Sequence, residues 1–348
     1  TVSIEMSLRT ILRALDTVIS LVPQSLLGGP KNLKGYPLSP LLRVILKAQA
    51  RNKVGMGDLE PEQLRLEMRS RLLPLRAGYE VGQVHNLSID LEGRSLKARH
   101  YIPSGKEPPQ GLTVYFHGGG YIFGDLDTHD DVCRLLCREA NTQIISVDYR
   151  LAPEHPFPAG VMDAIEAFRW VQKNAHDFGV KPSEVAVGGD SAGGNLAAVS
   201  VQATQSNDAP IAQLLLYPGT DQVTKRPSHL AFGEGFFLDN SDRAVFRQHY
   251  LKGIRGDSHD PQVSPYLGEV SEHIAPALIA TAGFDALHDE GEAYANKLAR
   301  AGGYVDYVCF EQLGHGFGNL VGIHRASEKA LIEVGQRWRR LFEQRAAG

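Results

Sequence analysis

The feature that most constrains the fold is a regular alternation of short apolar runs with longer helical segments, beginning near residue 112. The apolar runs have the length and branched or aromatic residues typical of buried strands. These runs are Leu112–Phe116, Gln143–Val147, Glu184–Val187, Gln213–Tyr217, Ala277–Thr281 and Val305–Phe310. The helical segments are Thr128–Ala140, Ala159–Asp177, Ala192–Gln205, Glu290–Ala301 and a last one from about His324 to Gln344. This alternation predicts an α/β fold, with helices on both faces of a mostly parallel central sheet.

Three further parts of the chain differ from this pattern. Residues 1–75 are mostly helical in character and are interrupted by glycines and prolines. Residues 81–90 and 95–102 are short β-like runs joined by a probable turn at Glu92-Gly93. The stretch 219–265 breaks the rhythm of strands and helices and predicts an insertion over one end of the sheet. We therefore expect one α/β domain over residues 80–345, together with additional structure from residues 1–75 and 219–265.

Composition excludes several classes of protein. Apolar residues make up 43% of the chain and the formal net charge is only −4, which argues against disorder and against nucleic acid as a partner. Three cysteines cannot form a disulfide framework. Cys133 and Cys137 have no second Cys or His pair at zinc spacing, so we expect them to occupy core-facing positions on a helix and predict no metal site.

The N-terminal segment carries apolar residues at helical spacing. They are Ile4, Leu8, Ile11, Leu12, Leu15, Val18 and Ile19. Charged residues interrupt the segment, no cleavage site follows, and no apolar run reaches the roughly 18 residues of a membrane helix. The pattern leaves two interpretations open, an amphipathic helix packed on the body or a membrane-surface or lid helix. We expect cytoplasmic residence without stable membrane insertion.

A candidate nucleophile lies where one strand passes into a helix. The sequence Gly189-Asp190-Ser191-Ala192-Gly193 matches G-x-S-x-G. A strand before it and a helix after it provide the context that this motif requires, because a sharp turn then holds the serine Oγ out at the edge of the sheet. The start of the following helix also directs N–H groups toward developing negative charge. We expect Ser191 to be the nucleophile; the alternative is a glycine-rich turn with a capping serine.

A run of three glycines follows an earlier strand. His117 is followed by Gly118-Gly119-Gly120, and three consecutive glycines are costly to order. Such a run is best explained by a backbone that must approach something closely. The candidate is a substrate acyl oxygen bound by main-chain N–H groups, with the N–H of Ala192 as a further donor.

These motifs together resemble those of a known family. His117-Gly118-Gly119-Gly120, the segment Tyr149-Arg150-Leu151-Ala152-Pro153-Glu154, and Gly189 to Gly194 (GDSAGG) are similar to motifs of the bacterial hormone-sensitive-lipase family of α/β-hydrolase esterases. The resemblance spans about residues 80 to 345. It implies an α/β-hydrolase fold, with Gly119, Gly120 and Ala192 as the donors of the oxyanion hole. It also implies a helical cap formed by residues 1–75 and 219–265, and packing of the segment 149–154 near the glycine run.

The order of the triad in this fold predicts the acid and the base. Ser is followed by Asp or Glu and then by His. Asp285 comes just after the strand Ala277–Thr281, and His315 comes after the strand Val305–Phe310. Both lie at the same edge as the serine, because the carboxyl ends of parallel strands meet there. We expect His315 to act as the base and Asp285 to fix its tautomer and stabilise the imidazolium.

Other polar and aromatic residues are given subsidiary roles. We expect Asp163 and Glu166 to lie on a solvated helix face, Asp190 to hold the turn of the nucleophile in place, and Asp289 and Glu290 to cap the next helix. Candidate residues for lining the substrate pocket are Tyr121, Tyr217, Phe236 and Phe237.

Three functions remain in competition. The leading one is a serine carboxylesterase that works through an acyl-enzyme and needs no metal or organic cofactor. The resemblance implies short-to-medium acyl esters as its substrates. An amidase or peptidase could use the same triad. A non-catalytic ligand receptor on this fold is the least favoured, because the chain keeps Ser191, Asp285 and His315 together. The resemblance further implies a possible homodimer through the last helix, near 330–341, although the same face could instead pack on the sheet.

Overall fold

The computed structural model describes residues 7–22, 28–50, 55–105, 107–204, 208–252 and 257–346. Ile4, the first residue of the N-terminal apolar pattern, lies outside them. Eight described strands form one sheet in the order β1-β2-β4-β3-β5-β6-β7-β8. They are β1 Gln83–Leu91, β2 Arg94–Ile102, β3 Leu112–Phe116, β4 Gln143–Asp148, β5 Val185–Asp190, β6 Gln213–Leu216, β7 Ala277–Phe284 and β8 Val305–Gly314. Only the pairs β1–β2 and β2–β4 are antiparallel, so the predicted mostly parallel sheet is confirmed.

The helices fall close to their predicted positions. The α-helices are α1 Leu8–Ile19, α2 Pro40–Gln49, α3 Pro61–Leu72, α4 Asp130–Ala140, α5 Ala159–Lys173, α6 Ala192–Ala203, α7 Pro227–Ala231, α8 Asn240–Tyr250, α9 His288–Arg300 and α10 Arg325–Ala346. Short 3-10 helices lie at Met56–Asp58, Leu73–Leu75, Ala175–Phe178, Pro182–Glu184, Pro265–Leu267 and Phe317–Leu320. The last two strands of the sheet extend several residues beyond their apolar runs, and these extensions lead toward Asp285 and His315.

Buried apolar residues cover both faces of the sheet. One cluster includes Phe168 of α5 and Leu196 of α6. The other includes Leu135 of α4 together with Leu331 and Trp338 of α10. Burial of strands on both faces explains their continuous apolar runs. The apolar face of α10 is thus packed within the chain, and dimerisation through it stays a prediction. Cys133 and Cys137 are both fully buried.

One charged residue of α5 lies in the interior rather than on a solvated face. The side chain of Asp163 is completely buried, so the prediction for this residue is wrong. Its carboxylate pairs with Arg94 of β2 at 2.7 Å and with Arg150 at 2.8 Å. Glu166, one turn along, is partly exposed and pairs with Arg94 at 2.7 Å. The buried carboxylate is therefore stabilised by two arginines from outside the helix. Helical periodicity alone does not indicate that these arginines lie next to Asp163.

We expect Asp163→Ala to lower the free energy of unfolding by about 3–5 kcal/mol, because it leaves two arginines without their buried partner. The matched change Glu166→Ala removes a more exposed pair and is expected to cost less than about 1 kcal/mol. Urea unfolding of both variants measures the difference. Equal losses in the two variants would show that Asp163 does not hold these arginines together.

Helix α1 contacts the body through its polar side. Arg13 pairs with Glu328 of α10. Asp16 is buried, and its carboxylate accepts a hydrogen bond from the N–H of Arg325 at 2.8 Å. Among the described residues, no helix is both long enough and apolar enough to cross a membrane.

Residues 219–265 are held to the sheet domain by α9. Glu290 is buried, and its Oε1 accepts hydrogen bonds from the N–H groups of Thr220 at 2.8 Å and Asp221 at 3.3 Å. Its Oε2 lies 3.1 Å from His229 Nε2. Glu290 lies in the first turn of α9, but its carboxylate binds the neighbouring segment rather than N–H groups at the start of the helix. Asp289 likewise accepts its hydrogen bond from Ser228, outside the helix. The capping role predicted for these two residues is therefore replaced by contacts with the segment 219–265, which were not predicted.

Candidate active site

The turn that carries Ser191 is strained, and its glycines are needed for steric reasons. Ser191 has φ 52° and ψ −116° and lies between the end of β5 and the start of α6. A Cβ atom on Gly193 would clash with the carbonyl oxygen of Phe116, and one on Gly189 would clash with the carbonyl oxygen of Gly193. The Ser191 N–H donates to the carbonyl oxygen of Leu216 in β6 at 2.8 Å. The backbone thus fixes the serine at the carboxyl edge of the sheet.

Three side chains from three loops form a continuous hydrogen-bonded relay. Ser191 Oγ lies 2.9 Å from His315 Nε2, and His315 Nδ1 lies 2.8 Å from Asp285 Oδ2. Asp285 is buried, and its other oxygen accepts a hydrogen bond from the N–H of Leu287 at 2.8 Å. The structure therefore brings together the three residues that the sequence predicted as a triad. In this arrangement the histidine can take a proton from the serine, and the carboxylate can stabilise the resulting imidazolium.

The glycine run adopts a backbone conformation that disfavours other residues. Gly119 has φ 119° and Gly120 has φ 59°. A Cβ atom on Gly119 would clash with the carbonyl oxygen of Phe123, and one on Gly120 would clash with the ring of Phe246 from α8. Both the strained φ angles and the close neighbours explain why glycine occupies these positions.

Three backbone N–H groups of the glycine run and the serine turn have no acceptor within the described part of the chain. They belong to Gly119, Gly120 and Ala192, the residues predicted as oxyanion donors. The Gly118 N–H, in contrast, donates to Asp190 Oδ1 at 2.9 Å. Ala192 is also the first residue of α6, where N–H groups have no partner within the helix. These unpaired N–H groups can donate hydrogen bonds to a negatively charged atom of a ligand.

Asp190 links the glycine run to the serine turn. Its Oδ1 accepts hydrogen bonds from the Tyr115 hydroxyl and from the Gly118 N–H, both at 2.9 Å. His129 Nε2 lies 3.4 Å from the other oxygen. Burial alone would raise the pKa of the Asp190 carboxyl, but attraction to His129 and these hydrogen bonds outweigh burial and hold the pKa below its usual range. A charged Asp190 can therefore fix both backbone segments at once.

His117, which directly precedes the glycine run, is fully buried and packs among neighbouring side chains. Burial, together with the neighbouring His129, lowers the pKa of His117 to about 4, so its ring is neutral at pH 7. The ring stacks on Tyr149 with centroids 4.5 Å apart, and the Tyr149 hydroxyl donates to the His117 carbonyl oxygen at 2.8 Å. The segment 149–154 thus packs near the glycine run, as the resemblance implied.

The four predicted pocket residues occupy different environments. Tyr121 is buried and stacks on Tyr250 of α8, with centroids 3.8 Å apart. Tyr217 is fully buried and lies edge-on to His315 at 5.1 Å. Phe236 is half-buried and packs near Phe232 and Phe284, whereas the half-buried Phe237 lies against Gly314, next to His315. Contact with substrate stays a prediction for all four.

Two residues outside the motifs support the site and were not predicted. Phe246 of α8 packs over Gly120. Arg65 of α3 donates from Nε to the Ile122 carbonyl oxygen at 2.7 Å and from Nη2 to the Ala152 carbonyl oxygen at 2.8 Å. No motif in the sequence identifies either residue, because each acts through a contact between segments that are far apart in the chain.

One group on α9 has the residue types of a metal site. Ligand atoms of His288, Asp289 and Glu292 lie within 4.8 Å of one another. The Oδ2 atom of Asp289 already accepts a hydrogen bond from the Ser228 N–H at 2.8 Å. The relay of Ser191, His315 and Asp285 is complete without this group.

We expect Gly119→Ala to lower kcat by at least about 100-fold, because the new Cβ clashes with the Phe123 carbonyl oxygen and so displaces a predicted oxyanion donor. Gly302→Ala is the matched control. Gly302 also has a positive φ, 93°, but the space around it is open and it lies in the turn before β8. Steady-state kinetics on a soluble ester measure the effect, and a similar small loss in both variants would contradict the predicted role of Gly119.

Comparison with known proteins places the fold and the site in a wider context. A family model described as alpha/beta hydrolase fold matches residues 113–319. The chain is 44% identical to carboxylic ester hydrolase LipN of Mycobacterium tuberculosis, over 87% of this chain and 82% of that protein. It is 35% identical to ethyl acetate hydrolase of Pseudomonas putida, over 85% of this chain and 96% of that protein.

Solved structures similar to this chain are also ester hydrolases. A hyperthermophilic esterase from the archaeon Pyrobaculum calidifontis superimposes with a TM-score of 0.82 at 34% identity, covering 87% of this chain and 98% of that chain. An ester-hydrolase from the metagenome of Lake Arreo, complexed with a derivative of bipyridine phosphonate, gives a TM-score of 0.83 at 36% identity. That match covers 88% of this chain and 99% of the other.

Proposed function

The chain belongs to the hormone-sensitive-lipase family of α/β-hydrolase esterases, and from that premise we propose a serine carboxylesterase that acts on short-to-medium acyl esters through Ser191, Asp285 and His315. The enzyme is a carboxylic ester hydrolase, like the relatives described above. The observation that carries the proposal is the relay from Ser191 Oγ through His315 to Asp285, with contacts of 2.9 and 2.8 Å.

Acylation begins at Ser191. Its Oγ attacks the carbonyl carbon of the ester while His315 Nε2 takes the hydroxyl proton. The tetrahedral intermediate then collapses, the bond to the alcohol oxygen breaks, and the imidazolium returns its proton to that oxygen. The alcohol leaves and the acyl group remains on Ser191.

Deacylation uses the same base. His315 takes a proton from a water molecule, whose oxygen attacks the acyl carbon. Collapse of the second tetrahedral intermediate breaks the bond to Ser191 Oγ and returns the proton to it, which releases the carboxylic acid. In both halves Asp285 stabilises the imidazolium and holds its tautomer. Every atom is accounted for by enzyme, ester and water.

The N–H groups of Gly119, Gly120 and Ala192 bind the oxyanion in this proposal. Their lack of acceptors among the described residues supports the assignment. Donors that are fixed before reaction stabilise the charge without reorganisation, and removal of one such donor costs about 3 kcal/mol of transition-state stabilisation. Asp190 is a positioning residue that holds Gly118, and with it the start of the run, against the serine turn.

Residues 1–75 and 219–265 form the cap over the site in this proposal. Contacts between the two segments support it. The Gly57 N–H donates to Asp242 Oδ1 at 2.9 Å, which joins the N-terminal segment to α8. Phe246 of α8 reaches Gly120, and Arg65 of α3 reaches the loop that follows the glycine run. The depth of this cap then limits the acyl chain that fits.

An acyl-length series of p-nitrophenyl esters, with one matched p-nitroanilide, tests the proposed function. We expect turnover to be highest for short-to-medium chains and the anilide to be cleaved far more slowly than its ester, since an amide needs a protonated leaving amine. Anilide cleavage as fast as ester cleavage would make the enzyme an amidase. A folded protein without turnover on any ester would favour the receptor hypothesis.

A further inference from the structure

Helix α1 presents its apolar side to solvent. Leu8, Ile11, Leu15 and Val18 have between 37% and 63% of their surface exposed. The helix is attached instead by its polar side, through the contacts of Arg13 with Glu328 and of Asp16 with the start of α10. An amphipathic surface helix ordinarily buries its apolar stripe against the core. In α1 only Leu12 and Ile19, at one edge of the stripe, are half-buried, so most of the stripe faces solvent in the described chain.

The exposed apolar residues concentrate in one segment. Of the 14 large hydrophobic residues that are exposed in the described chain, nine lie between residues 8 and 44. These nine are Leu8, Ile11, Leu15, Val18, Leu21, Val22, Leu33, Tyr36 and Val44. Single exposed hydrophobic residues are normal, whereas a concentration of them marks an interaction surface.

The same segment is basic in an acidic chain. Residues 7–50 contain six Lys or Arg and one Asp, whereas the whole chain has 36 Lys+Arg against 40 Asp+Glu. The single acid, Asp16, is buried and bound to α10. Of the six basic residues, Arg13 pairs with Glu328, Lys34 pairs with Glu311, and Arg43 is buried. Arg9, Lys31 and Lys47 remain without an ion-pair partner among the described residues, and Lys31 and Lys47 are exposed. Apolar residues beside such basic side chains are complementary to an anionic lipid surface.

The segment lies at the edge of the sheet that carries the catalytic relay. The Ser39 N–H, just before α2, donates to the Gln312 carbonyl oxygen at 3.0 Å, and Gln312 lies near the end of β8. Ser39 Oγ also lies 2.7 Å from Nε2 of His324, which precedes α10. The carboxyl end of β8 leads directly to His315. This part of the segment is therefore attached close to the edge of the sheet that carries the relay.

We propose that residues 7–22 and 28–50 form a peripheral attachment surface for anionic lipid, with the exposed side of α1 inserted among the headgroups. This inference goes beyond the proposed reaction and needs no membrane-spanning helix. A second copy of the chain is the competing occupant. A symmetric contact places the same patch on both partners, so it would bring two basic surfaces together and is disfavoured by their repulsion.

Vesicle co-sedimentation of the full chain tests this proposal. We expect binding to phosphatidylcholine vesicles that contain phosphatidylglycerol, weaker binding to phosphatidylcholine alone, and release by salt. Leu15→Glu combined with Val18→Glu should abolish binding. Lys31→Glu combined with Lys47→Glu should weaken it by roughly fivefold for each charge. Met162→Glu, which changes an exposed apolar residue on α5, is the matched control and should bind like the wild type.

Turnover of a soluble ester is measured in the same samples. It should stay close to the wild-type value in all these variants, because the substituted side chains are exposed to solvent and lie outside the relay and the proposed oxyanion donors. Unchanged turnover shows that the variants are folded and separates failure of lipid binding from failure of the proposed reaction. Folded wild-type protein that does not bind anionic vesicles, or a Leu15→Glu/Val18→Glu variant that binds as well as the wild type, would overturn the proposal. Dimerisation in the absence of lipid, abolished by the same double variant, would assign this surface to a second copy.

Discussion

We expect Ser191→Ala to lower kcat by about 10⁴–10⁶-fold, because the variant can no longer form the acyl-enzyme. The residual rate would come from substrate binding and the oxyanion donors, which the change leaves in place. The substitution removes one oxygen atom and its contact with His315 Nε2 at 2.9 Å. Steady-state kinetics on the preferred p-nitrophenyl ester, with circular dichroism as a check of folding, measure the effect.

Ser200→Ala is the matched control for this variant. Ser200 lies on the same helix as the serine turn, α6, and its hydroxyl donates to the Leu196 carbonyl oxygen at 2.8 Å. We expect kcat close to that of the wild type, because this hydroxyl is buried and makes a local hydrogen bond within the helix. Near-wild-type turnover by a folded Ser191→Ala variant would rule out Ser191 as the nucleophile.

We expect Asp285→Asn to lower kcat by about 10⁴-fold at neutral pH. His315 Nδ1 lies 2.8 Å from Asp285 Oδ2 in the wild type. An asparagine can present an N–H group there, which favours the wrong tautomer of the histidine and removes the charge that stabilises the imidazolium. The effect should fall on kcat with little change in KM, since Asp285 is buried and acts through His315.

Asp306→Asn provides the matched control. Asp306 lies on β8, the strand that leads to His315, and pairs with Arg337 at 2.7 Å on the side of α10. This change also neutralises an aspartate, but it does so away from the relay, so kcat should stay within a few-fold of the wild type. Equal activity of the two variants would show that another group, or none, orients His315.

Much of this architecture could be predicted from the sequence because its signals are local. Most of the short apolar runs are buried on both sides of the sheet, so each of these has the length and composition of a buried strand. The glycines around Ser191 are needed because neighbouring backbone atoms fill the space of a Cβ. Once the strands are parallel, the residues that follow them must meet at one edge, which is why Asp285 and His315 could be identified without knowing any contact.

What could not be predicted depends on contacts between distant segments. Asp163 was expected in solvent because a charged residue on a helix ordinarily lies on the solvated face, yet Arg94 and Arg150 come from other elements and pair with it. Glu290 has the position of a capping residue, but its carboxylate accepts hydrogen bonds from backbone N–H groups some 70 residues earlier in the chain. The helix α1 was correctly expected to be amphipathic, but periodicity does not indicate which side faces the body, and here the polar side does.

The central claim is that Ser191 is acylated during turnover. Intact-protein mass spectrometry after exposure to a p-nitrophenyl alkylphosphonate, followed by peptide mapping, tests it most directly, because a phosphonyl group cannot be removed by the deacylation step. We expect one adduct, on Ser191, formed in step with loss of esterase activity and greatly slowed in His315→Ala. A fully inactivated protein whose adduct lies on another residue, or a protein that is not labelled while it still hydrolyses esters, would contradict the claim.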